Sequence, residues 1–419
     1  MTWRLRAFLL LAVLSGIPGS ISFPATAQDE AAFQYFGVLK ANPEHLDSDR
    51  SAGVNMVEIG VRWDKYEPHR GTFDAQYRKS IMDRIEQYRR AGFRISVATA
   101  TQYTPAWIVA DKSLQVKSQF PDDYSGMANL FFDQSVRDEA ERFIADVVQH
   151  AGPVDYYRIG LSHNGEMVLP VASRGQWWAM DPKAQGDIPG RPSSISDPPY
   201  KHWYPGQPLN GHPSTRAELE KWWNWYFSAL VDAHDWEAAA IRRAGFKGQL
   251  QYVIPGPGVR PTNLEDAFRR GLTFDPADTY HLVNVGAAWY LLLERLHDRN
   301  ALVDISSVYD TSGSPRGNHC SAADKSIDYL HDPSVMSWSS TRWLSFLARK
   351  NGFKTIGENP GSDSAQAMEG ALKLAQSCDL QGLQWAFDDE LYDGKHASIA
   401  DYAKDIREIK GLGGVADAH

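Results

Sequence analysis

Residues 155–167 read DYYRIGLSHNGEM, a short apolar run that ends in polar residues and a glutamate. Short runs of this kind, rich in Val, Ile and Tyr, alternate with longer helical patterns from Phe33 almost to the C-terminus. This alternation is typical of a parallel sheet built from βα units. We therefore predict that residues 155–162 form one of a series of parallel strands.

The chain contains eight such runs, and eight parallel strands close a barrel. The predicted strands are residues 33–39, 56–63, 93–101, 155–162, 248–254, 302–309, 354–357 and 382–387. The predicted helices are residues 74–91, 133–150, 215–244, 280–300, 337–351 and 362–377. Three of them stop at Gly92, Gly245 and Gly352, as expected where a helix leads into a strand. The predicted fold is α/β, a (β/α)8 TIM barrel that forms a single domain over residues 28–419.

The N-terminus has the pattern of a secretory signal peptide. Arg4 and Arg6 precede the apolar residues 7–14, and the small-residue site Ala25-Thr26-Ala27 follows. We predict cleavage after residue 27 and a secreted or periplasmic protein. After cleavage no stable membrane insertion is expected, since no later segment approaches the length of a spanning helix. An uncleaved signal that anchors the chain is the alternative.

Composition limits the partners of the chain. It has 43 Lys and Arg against 52 Asp and Glu, a formal charge of −9, which disfavours nucleic acid. Cys320 and Cys378 could pair in an oxidising compartment or remain two buried thiols. No metal-ligand spacing of Cys or His is present, so we predict neither a metal nor a cofactor. The sequence leaves the oligomeric state open.

A long connection, residues 171–213, follows the fourth predicted strand and is rich in Pro, Gly, Ser and Trp. In a barrel it lies on the C-terminal face, where active sites of this architecture are found. Trp177, Trp178 and Trp203 within it suggest a wall on which sugars stack, with a structural role as the alternative. The Trp cluster in the helical residues 222–227 favours core packing instead.

Two glutamates are the candidate catalytic residues, because each follows an apolar strand directly. Glu166 comes after the fourth strand in NGEM, and Glu358 after the seventh in GENP. Apolar layers are expected to fill the barrel interior, so polar residues at strand ends are the ones that face a substrate. Cleavage of a glycosidic bond needs one carboxylic acid and one carboxylate. Gly165 and Gly357 would allow sharp turns there. Either Glu alone would more simply be explained by a salt bridge or a solvated loop.

The segments around these glutamates resemble motifs of the β-amylases. Residues 165–170, GEMVLP, resemble the segment that bears the acid after the fourth strand, a Gly-Glu pair with Pro four residues beyond the Glu. Residues 357–359, GEN, are similar to the segment that carries the base after the seventh strand. The resemblance implies that Glu166 is the acid and Glu358 the base of an inverting reaction.

A second resemblance is to clan A glycoside hydrolases of the β-galactosidase kind. Residues 62–74, RWDKYEPHRGTFD, are similar to the Trp, Glu-Pro, Gly and aromatic-Asp pattern after their second strand. Pro105-Ala106-Trp107 and Trp385 extend the likeness. Gly165 departs from the pattern, since in clan A the acid usually follows an Asn directly. This resemblance implies a retaining reaction in which Glu358 is the nucleophile.

The same reasoning selects residues at strand ends as substrate contacts. They are Arg62, Trp63, Gln102, His163, Asn164, Trp177, Tyr309, Asn359 and Trp385. Arg62 could instead hold a catalytic carboxylate ionised or form an ion pair in the barrel wall. Asp388, Asp389 and Glu390 are the second choice for the second carboxylate, whereas Glu58 and Glu67 are interpreted as structural.

We therefore expect a glycoside hydrolase that cleaves O-glycosidic bonds of an oligosaccharide or polysaccharide by a two-carboxylate mechanism. Retention is favoured over inversion, because it is the commoner outcome among barrels with this strand-two motif. The alternatives are a carbohydrate-binding protein without turnover on a degenerate barrel and a transglycosylase. The two strand-end glutamates argue against the binding protein.

Overall fold

The structure is a computed structural model that describes residues 33–273, 280–309, 319–359 and 363–411. The predicted signal peptide, residues 1–27, lies outside the described residues. None of the helices in these ranges combines the length and the apolar character that crossing a bilayer requires.

Eight parallel strands form a closed barrel in which each strand pairs with its neighbours in sequence. They are β1 (Tyr35–Val38), β2 (Met56–Arg62), β3 (Arg94–Ala100), β4 (Tyr156–Ile159), β5 (Gln249–Ile254), β6 (Ala301–Ile305), β7 (Lys354–Asn359) and β8 (Gly382–Trp385). The predicted barrel is confirmed. A separate antiparallel hairpin, Gln115–Lys117 with Tyr124–Ala128, lies between the Ala106–Val109 and Gln134–Ala151 helices.

Helices follow the strands and cover the barrel. They are Leu46–Ala52, Trp63–Tyr66, Ala75–Arg90, Ala106–Val109, Gln134–Ala151, Pro182–Gln185, Arg216–Arg243, Pro261–Arg269, Tyr280–Asn284, Trp289–Arg295, Ser340–Lys350, Ala365–Ser377 and Ile399–Ile409. Asp74, Asp133 and Thr215 each accept a hydrogen bond from a backbone N–H of the first turn, which explains why helices begin there. The predicted helix 280–300 is wrong as one element, because the chain breaks into two short helices around Gly286.

The barrel interior is apolar only in its lowest layer. Met56, Tyr156, Leu302 and Ile356 form that layer at the N-terminal ends of their strands. Two residues further along the same strands, the inward positions are charged. These buried side chains are Glu58, Arg158, Asp304 and Glu358. Buried Ser96, Gln251 and Gln384 add further polar groups. The expectation of apolar layers throughout is therefore wrong. Three of the charged residues, Glu58, Arg158 and Glu358, line the cleft described below.

The connection 171–213 packs its tryptophans inward. Trp177 and Trp203 lie edge-on against Trp222 of the Arg216–Arg243 helix, with ring centroids 5.1 and 6.0 Å away. Trp178 is 3% exposed, and its backbone N–H donates to the Tyr226 hydroxyl. The predicted substrate wall of tryptophans is wrong, because the long helix offers an aromatic surface that buries these large rings.

Cys320 and Cys378 form a disulfide with their Cα atoms 5.0 Å apart, so of the two predicted states the bonded one is present. The bond links the segment before the Ser340–Lys350 helix to the end of the Ala365–Ser377 helix. It closes a loop across a sequence separation of 58 residues. A cross-link that closes a loop of this length strongly restricts the conformations of the unfolded chain.

Removing the disulfide is expected to lower the free energy of unfolding by about 4 kcal/mol, mainly because the unfolded chain gains freedom. The measurement is denaturant unfolding of the double variant Cys320→Ser, Cys378→Ser beside the unaltered protein. A reductant should shift the unaltered protein's midpoint and leave that of the variant in place. Identical midpoints for the two proteins without reductant would contradict the prediction.

Candidate active site

A cleft of about 530 Å³ opens at the C-terminal ends of the strands. Residues at the ends of β1, β2, β3, β4, β6, β7 and β8 line it. The lining includes both predicted catalytic carboxylates, Glu166 after β4 and Glu358 on β7, which are far apart in the sequence. It also includes three of the predicted substrate contacts, Arg62, Gln102 and Asn164.

Glu166 is half-buried beside the end of β6. Its Oε1 accepts a hydrogen bond of 2.8 Å from the Ser306 hydroxyl. The pKa of Glu166 is raised to about 7, mainly by burial and in smaller part by the charge of Glu358, although the hydrogen bonds of Ser306 and Asn164 and the charge of Arg158 act to lower it. A carboxyl group with this pKa can be protonated near neutral pH and give its proton away.

Two glycines set the position of Glu166. Gly165 has φ +71°, and Gly160 lies so close to it that a Cβ on Gly160 would come within 1.9 Å of the Gly165 carbonyl oxygen. The backbone N–H of Gly160 donates to Oε2 of Glu237, a buried carboxyl on the Arg216–Arg243 helix, at 3.0 Å. Met167 then donates to the Val253 carbonyl of β5. The loop that carries Glu166 is therefore held from three sides.

Glu358 points into the barrel from β7 and pairs with Arg158 of β4. Arg158 Nη1 donates to Glu358 Oε2 at 2.9 Å and lies 3.5 Å from Asp304 Oδ2. Burial lowers the pKa of Arg158, but the charges of Glu358, Asp304 and Glu58 outweigh it, so the net pKa is raised. Arg158 therefore keeps its positive charge beside Glu358. Burial raises the pKa of Asp304 to about 7, which limits the negative charge around them.

The charged residues in the barrel centre at the base of the cleft were not predicted from the sequence. Glu58, interpreted as structural, lines the cleft, and Arg158 and Asp304 were not singled out. A signal was present, because each of the three interrupts an apolar strand at an inward position. An interior charge on one strand needs a partner on another, and together they indicate a polar barrel centre.

Arg62 forms an ion pair, which was one of its predicted roles. Its guanidinium forms two hydrogen bonds to Asp64, at 3.0 and 2.6 Å, and lies 4.2 Å from the centre of the Tyr103 ring. It lines the cleft without touching either catalytic candidate. Arg158 is the residue that pairs with a candidate catalytic carboxylate, that of Glu358.

Gln102 and Asn164 lie beside the acid loop. Gln102 Nε2 is 3.1 Å from where a Cβ of Gly165 would be, and its Oε1 is buried without a hydrogen-bond partner among the described residues. Asn164 is exposed at the rim with φ +63°. His163 is exposed and does not line the cleft, which argues against its predicted contact with substrate.

Several predicted aromatic contacts do not face the cleft. Trp63 is fully buried against Phe143, and its Nε1 donates to Glu67 at 2.8 Å, so the Trp and the Glu-Pro motif brace the loop after β2. Trp385 is fully buried in the main core, and Trp177 is only 2% exposed. These three assignments are wrong, since burial of a large ring in the core removes it from substrate.

One further predicted contact, Tyr309, does not line the cleft. The ring of Tyr309 lies over Gly370, where a Cβ would approach its Cζ to 2.6 Å, rather than in the cleft lining. The side chain of Asn359 lies outside the described residues. The acidic run after β8 also lies apart from the lining: Asp388 accepts the Asn42 N–H at 2.6 Å and contacts His45.

The variant Trp177→Ala is expected to lose about 3–5 kcal/mol of unfolding free energy, because the ring fills the core between the connection and the long helix. Its KM should equal that of the unaltered protein below the melting temperature. Thermal denaturation and steady-state kinetics measure the two quantities. Tyr103→Ala, at the exposed cleft wall, is the contrast and should raise KM with little loss of stability. A raised KM for Trp177→Ala would restore the substrate-wall interpretation.

Sequence comparisons place similarity in the first part of the barrel. Residues 40–119 match the family model described as β-galactosidase, glycoside hydrolase 42. The chain is 35% identical to the β-galactosidase bgaB of Geobacillus kaustophilus over 83 residues, 20% of this chain and 11% of that protein. It is 34% identical to a β-galactosidase of an Arthrobacter species over 67 residues, 16% of this chain and 9% of that protein. The chain thus spans about a tenth of the length of these relatives.

Structural comparisons extend the likeness to the whole barrel. The catalytic domain of β-amylase from Paenibacillus polymyxa aligns with a TM-score of 0.62 at 15% identity, covering 91% of this chain and 99% of that domain. A β-galactosidase from Halorubrum lacusprofundi aligns with a TM-score of 0.54 at 16% identity, covering 92% and 59%. In fold, and in the sequence of residues 40–119, the chain is thus similar to the (β/α)8-barrel glycoside hydrolases of the β-galactosidase kind.

Proposed function

We propose that this protein hydrolyses O-glycosidic bonds, with Glu166 as the general acid and Glu358 as the carboxylate that attacks the sugar. One observation carries the proposal: two glutamates from β4 and β7 share one cleft in different electrostatic surroundings. Glu166 is half-buried with a pKa of about 7, and Glu358 is paired with the permanent charge of Arg158. Carboxyl groups in contrasting surroundings are what acid and nucleophile roles require.

In the proposed reaction, Glu166 donates its proton to the oxygen of the leaving group as the glycosidic bond breaks. Glu358 forms a bond to the anomeric carbon, and water later cleaves that bond with Glu166 acting as base. Arg158 holds Glu358 in place through a charge-assisted hydrogen bond. The similarity of residues 40–119 to β-galactosidases supports this retaining course and makes β-galactosides the first substrates to test.

We also propose that the protein acts outside the cytoplasm. The Cys320–Cys378 disulfide supports export, because such bonds persist in oxidising compartments. The N-terminal pattern of two arginines, an apolar run and a small-residue site supports it independently.

The test is a screen of the purified protein against nitrophenyl glycosides and polysaccharides, followed by NMR of the first product. We expect cleavage of a β-linked glycoside and a first product that keeps the β configuration. A first product of the opposite configuration would overturn the nucleophile role of Glu358 and make it a base that activates water. Binding of sugars with no cleavage of any of them would overturn hydrolysis.

The rate should fall as the pH rises through about 7, because Glu166 must be protonated to act as the acid. Below this pKa the proton is present and its contribution to kcat/KM is complete. Above it, the rate should drop about tenfold for each pH unit. A profile of kcat/KM from pH 5 to 9 measures this. A rate that stays constant from pH 6 to 9 on a poor leaving group contradicts the assignment.

A further inference from the structure

The cleft carries more positive charge than the rest of the protein would suggest. Four basic side chains line it, Lys40, Arg62, Arg84 and Arg158, against three carboxyl groups, Glu58, Glu166 and Glu358. The chain as a whole has a formal charge of −9. A local surplus of cations inside a confined cleft attracts anionic ligands.

Two of these four cations are already neutralised by carboxylates. Arg62 is paired with Asp64 at 2.6 Å, and Arg158 with Glu358 at 2.9 Å. Neither Lys40 nor Arg84 has a close ion-pair partner among the described residues, although the charge of Lys40 acts at longer range on Glu58, which accepts the Lys40 backbone N–H at 3.0 Å. Glu58 and Glu166 are the lining carboxyl groups left to balance these two cations, and burial raises the pKa of both, which limits their negative charge.

Lys40 and Arg84 reach one side of the cleft from neighbouring elements. Lys40 follows β1, and its ammonium group lies 3.6 Å from the centre of the Phe387 ring, which follows β8 and also lines the cleft. Arg84 comes from the Ala75–Arg90 helix after β2 and is half-buried. Glu166 is carried by the loop after β4, so the two free cations flank the catalytic groups on the side of β1, β2 and β8.

A half-buried guanidinium without a carboxylate is costly, because it loses hydration and gains no opposite charge. A ligand that brings an anionic group would supply the missing partner through charge-assisted hydrogen bonds. A planar carboxylate or a sulfate fits the forked donors of an arginine. The net negative charge of the protein still opposes long polyanions, so a single anionic substituent on a sugar fits best.

We propose that the cleft binds a glycan that carries an anionic substituent, the carboxylate of a uronic acid or a sulfate ester, and that Lys40 and Arg84 hold that group. This inference rests on the proposed glycoside hydrolysis and narrows its substrate class. Recognition by charge makes the preference for such sugars sensitive to ionic strength.

The experiment compares kcat/KM on matched nitrophenyl substrates: β-galactoside with β-galacturonide, β-glucoside with β-glucuronide, and β-galactoside with its 6-sulfate. We expect at least one anionic substrate to exceed its neutral partner by about tenfold or more, the scale of a charged hydrogen bond. The pair that shows the preference distinguishes carboxylate from sulfate. Arg84→Gln and Lys40→Gln should each reduce the ratio about tenfold, whereas Arg84→Lys should retain part of it. Lys247→Gln, an exposed lysine at the opposite end of the barrel, is the matched control and should leave the ratio unchanged.

The outcomes separate this inference from the proposed function. Cleavage of neutral substrates with no preference in any pair overturns the inference and leaves hydrolysis standing. If nothing is cleaved, calorimetric titration of Glu358→Gln with uronate-containing, sulfated and neutral oligosaccharides still tests the subsite. Binding of an anionic oligosaccharide that weakens about tenfold in the double variant with Arg84→Gln supports the subsite while hydrolysis fails. Equal binding of neutral and anionic sugars by Glu358→Gln overturns the subsite as well.

Discussion

Replacing Glu358 with glutamine is expected to lower kcat by about 10,000-fold or more, in line with the loss of a nucleophile in other enzymes. The amide cannot attack the anomeric carbon, although it keeps the shape of the side chain and one acceptor for Arg158. Sugar binding should survive, because the cleft walls are unchanged. Steady-state kinetics and calorimetric titration measure the two effects separately.

Glu67→Gln is the matched control for Glu358→Gln. Glu67 is likewise a buried carboxyl near the C-terminal ends of the strands and lies 3.3 Å from an arginine, Arg142, but it braces the loop after β2 and does not line the cleft. Its variant should keep kcat. For Glu358→Ala, added azide should restore turnover by attacking the sugar in place of the carboxylate. If Glu358→Gln retained more than about one hundredth of the activity, the loss would be smaller than even the removal of a general acid or base causes. Glu358 would then have no direct role in the reaction.

Replacing Glu166 with glutamine is expected to reduce kcat/KM about 100- to 10,000-fold on substrates with poor leaving groups. The loss should be far smaller on dinitrophenyl glycosides, because their leaving group departs without a proton. This dependence on the leaving group distinguishes a lost acid from a misfolded site. The measurement is a series of aryl glycosides of increasing leaving-group pKa.

The pH profile of the same variant provides an independent check. Glu166→Gln has no proton to lose in this range, so the fall in rate above about pH 7 should disappear. An equal loss across the whole aryl series, or a retained alkaline limb, would show that Glu166 is not the acid. Melting temperatures close to that of the unaltered protein would exclude unfolding as the cause.

The strand positions could be predicted because each strand is a short apolar run between polar connections. Glu166 and Glu358 could be selected because they follow such runs directly, and parallel strands bring their ends to one face of a barrel. The predicted start of β2 agrees with the structure, and its end and both ends of β3 differ from the structure by one residue. The strand positions and the two glutamates depend on residues within and directly after each strand, so they can be predicted without knowledge of tertiary contacts.

The tryptophans could not be assigned in the same way. An indole ring set among Gly, Pro and Ser has the same sequence context whether it faces a sugar or a core. Trp177 became buried because the Arg216–Arg243 helix presents Trp222 and Tyr226 at the matching place. That choice depends on a contact between residues far apart in sequence, which composition does not report.

By itself the sequence determined the (β/α)8 barrel and the presence of a glutamate at the ends of β4 and β7, because hydrophobic periodicity and strand order are local properties. Only the tertiary structure decided what surrounds those glutamates. It placed Arg158 against Glu358 across the barrel and Ser306 against Glu166, and it left Lys40 and Arg84 without carboxylate partners among the described residues. The physical reason is that burial and charge pairing depend on distances across the barrel between strands that are remote in the chain.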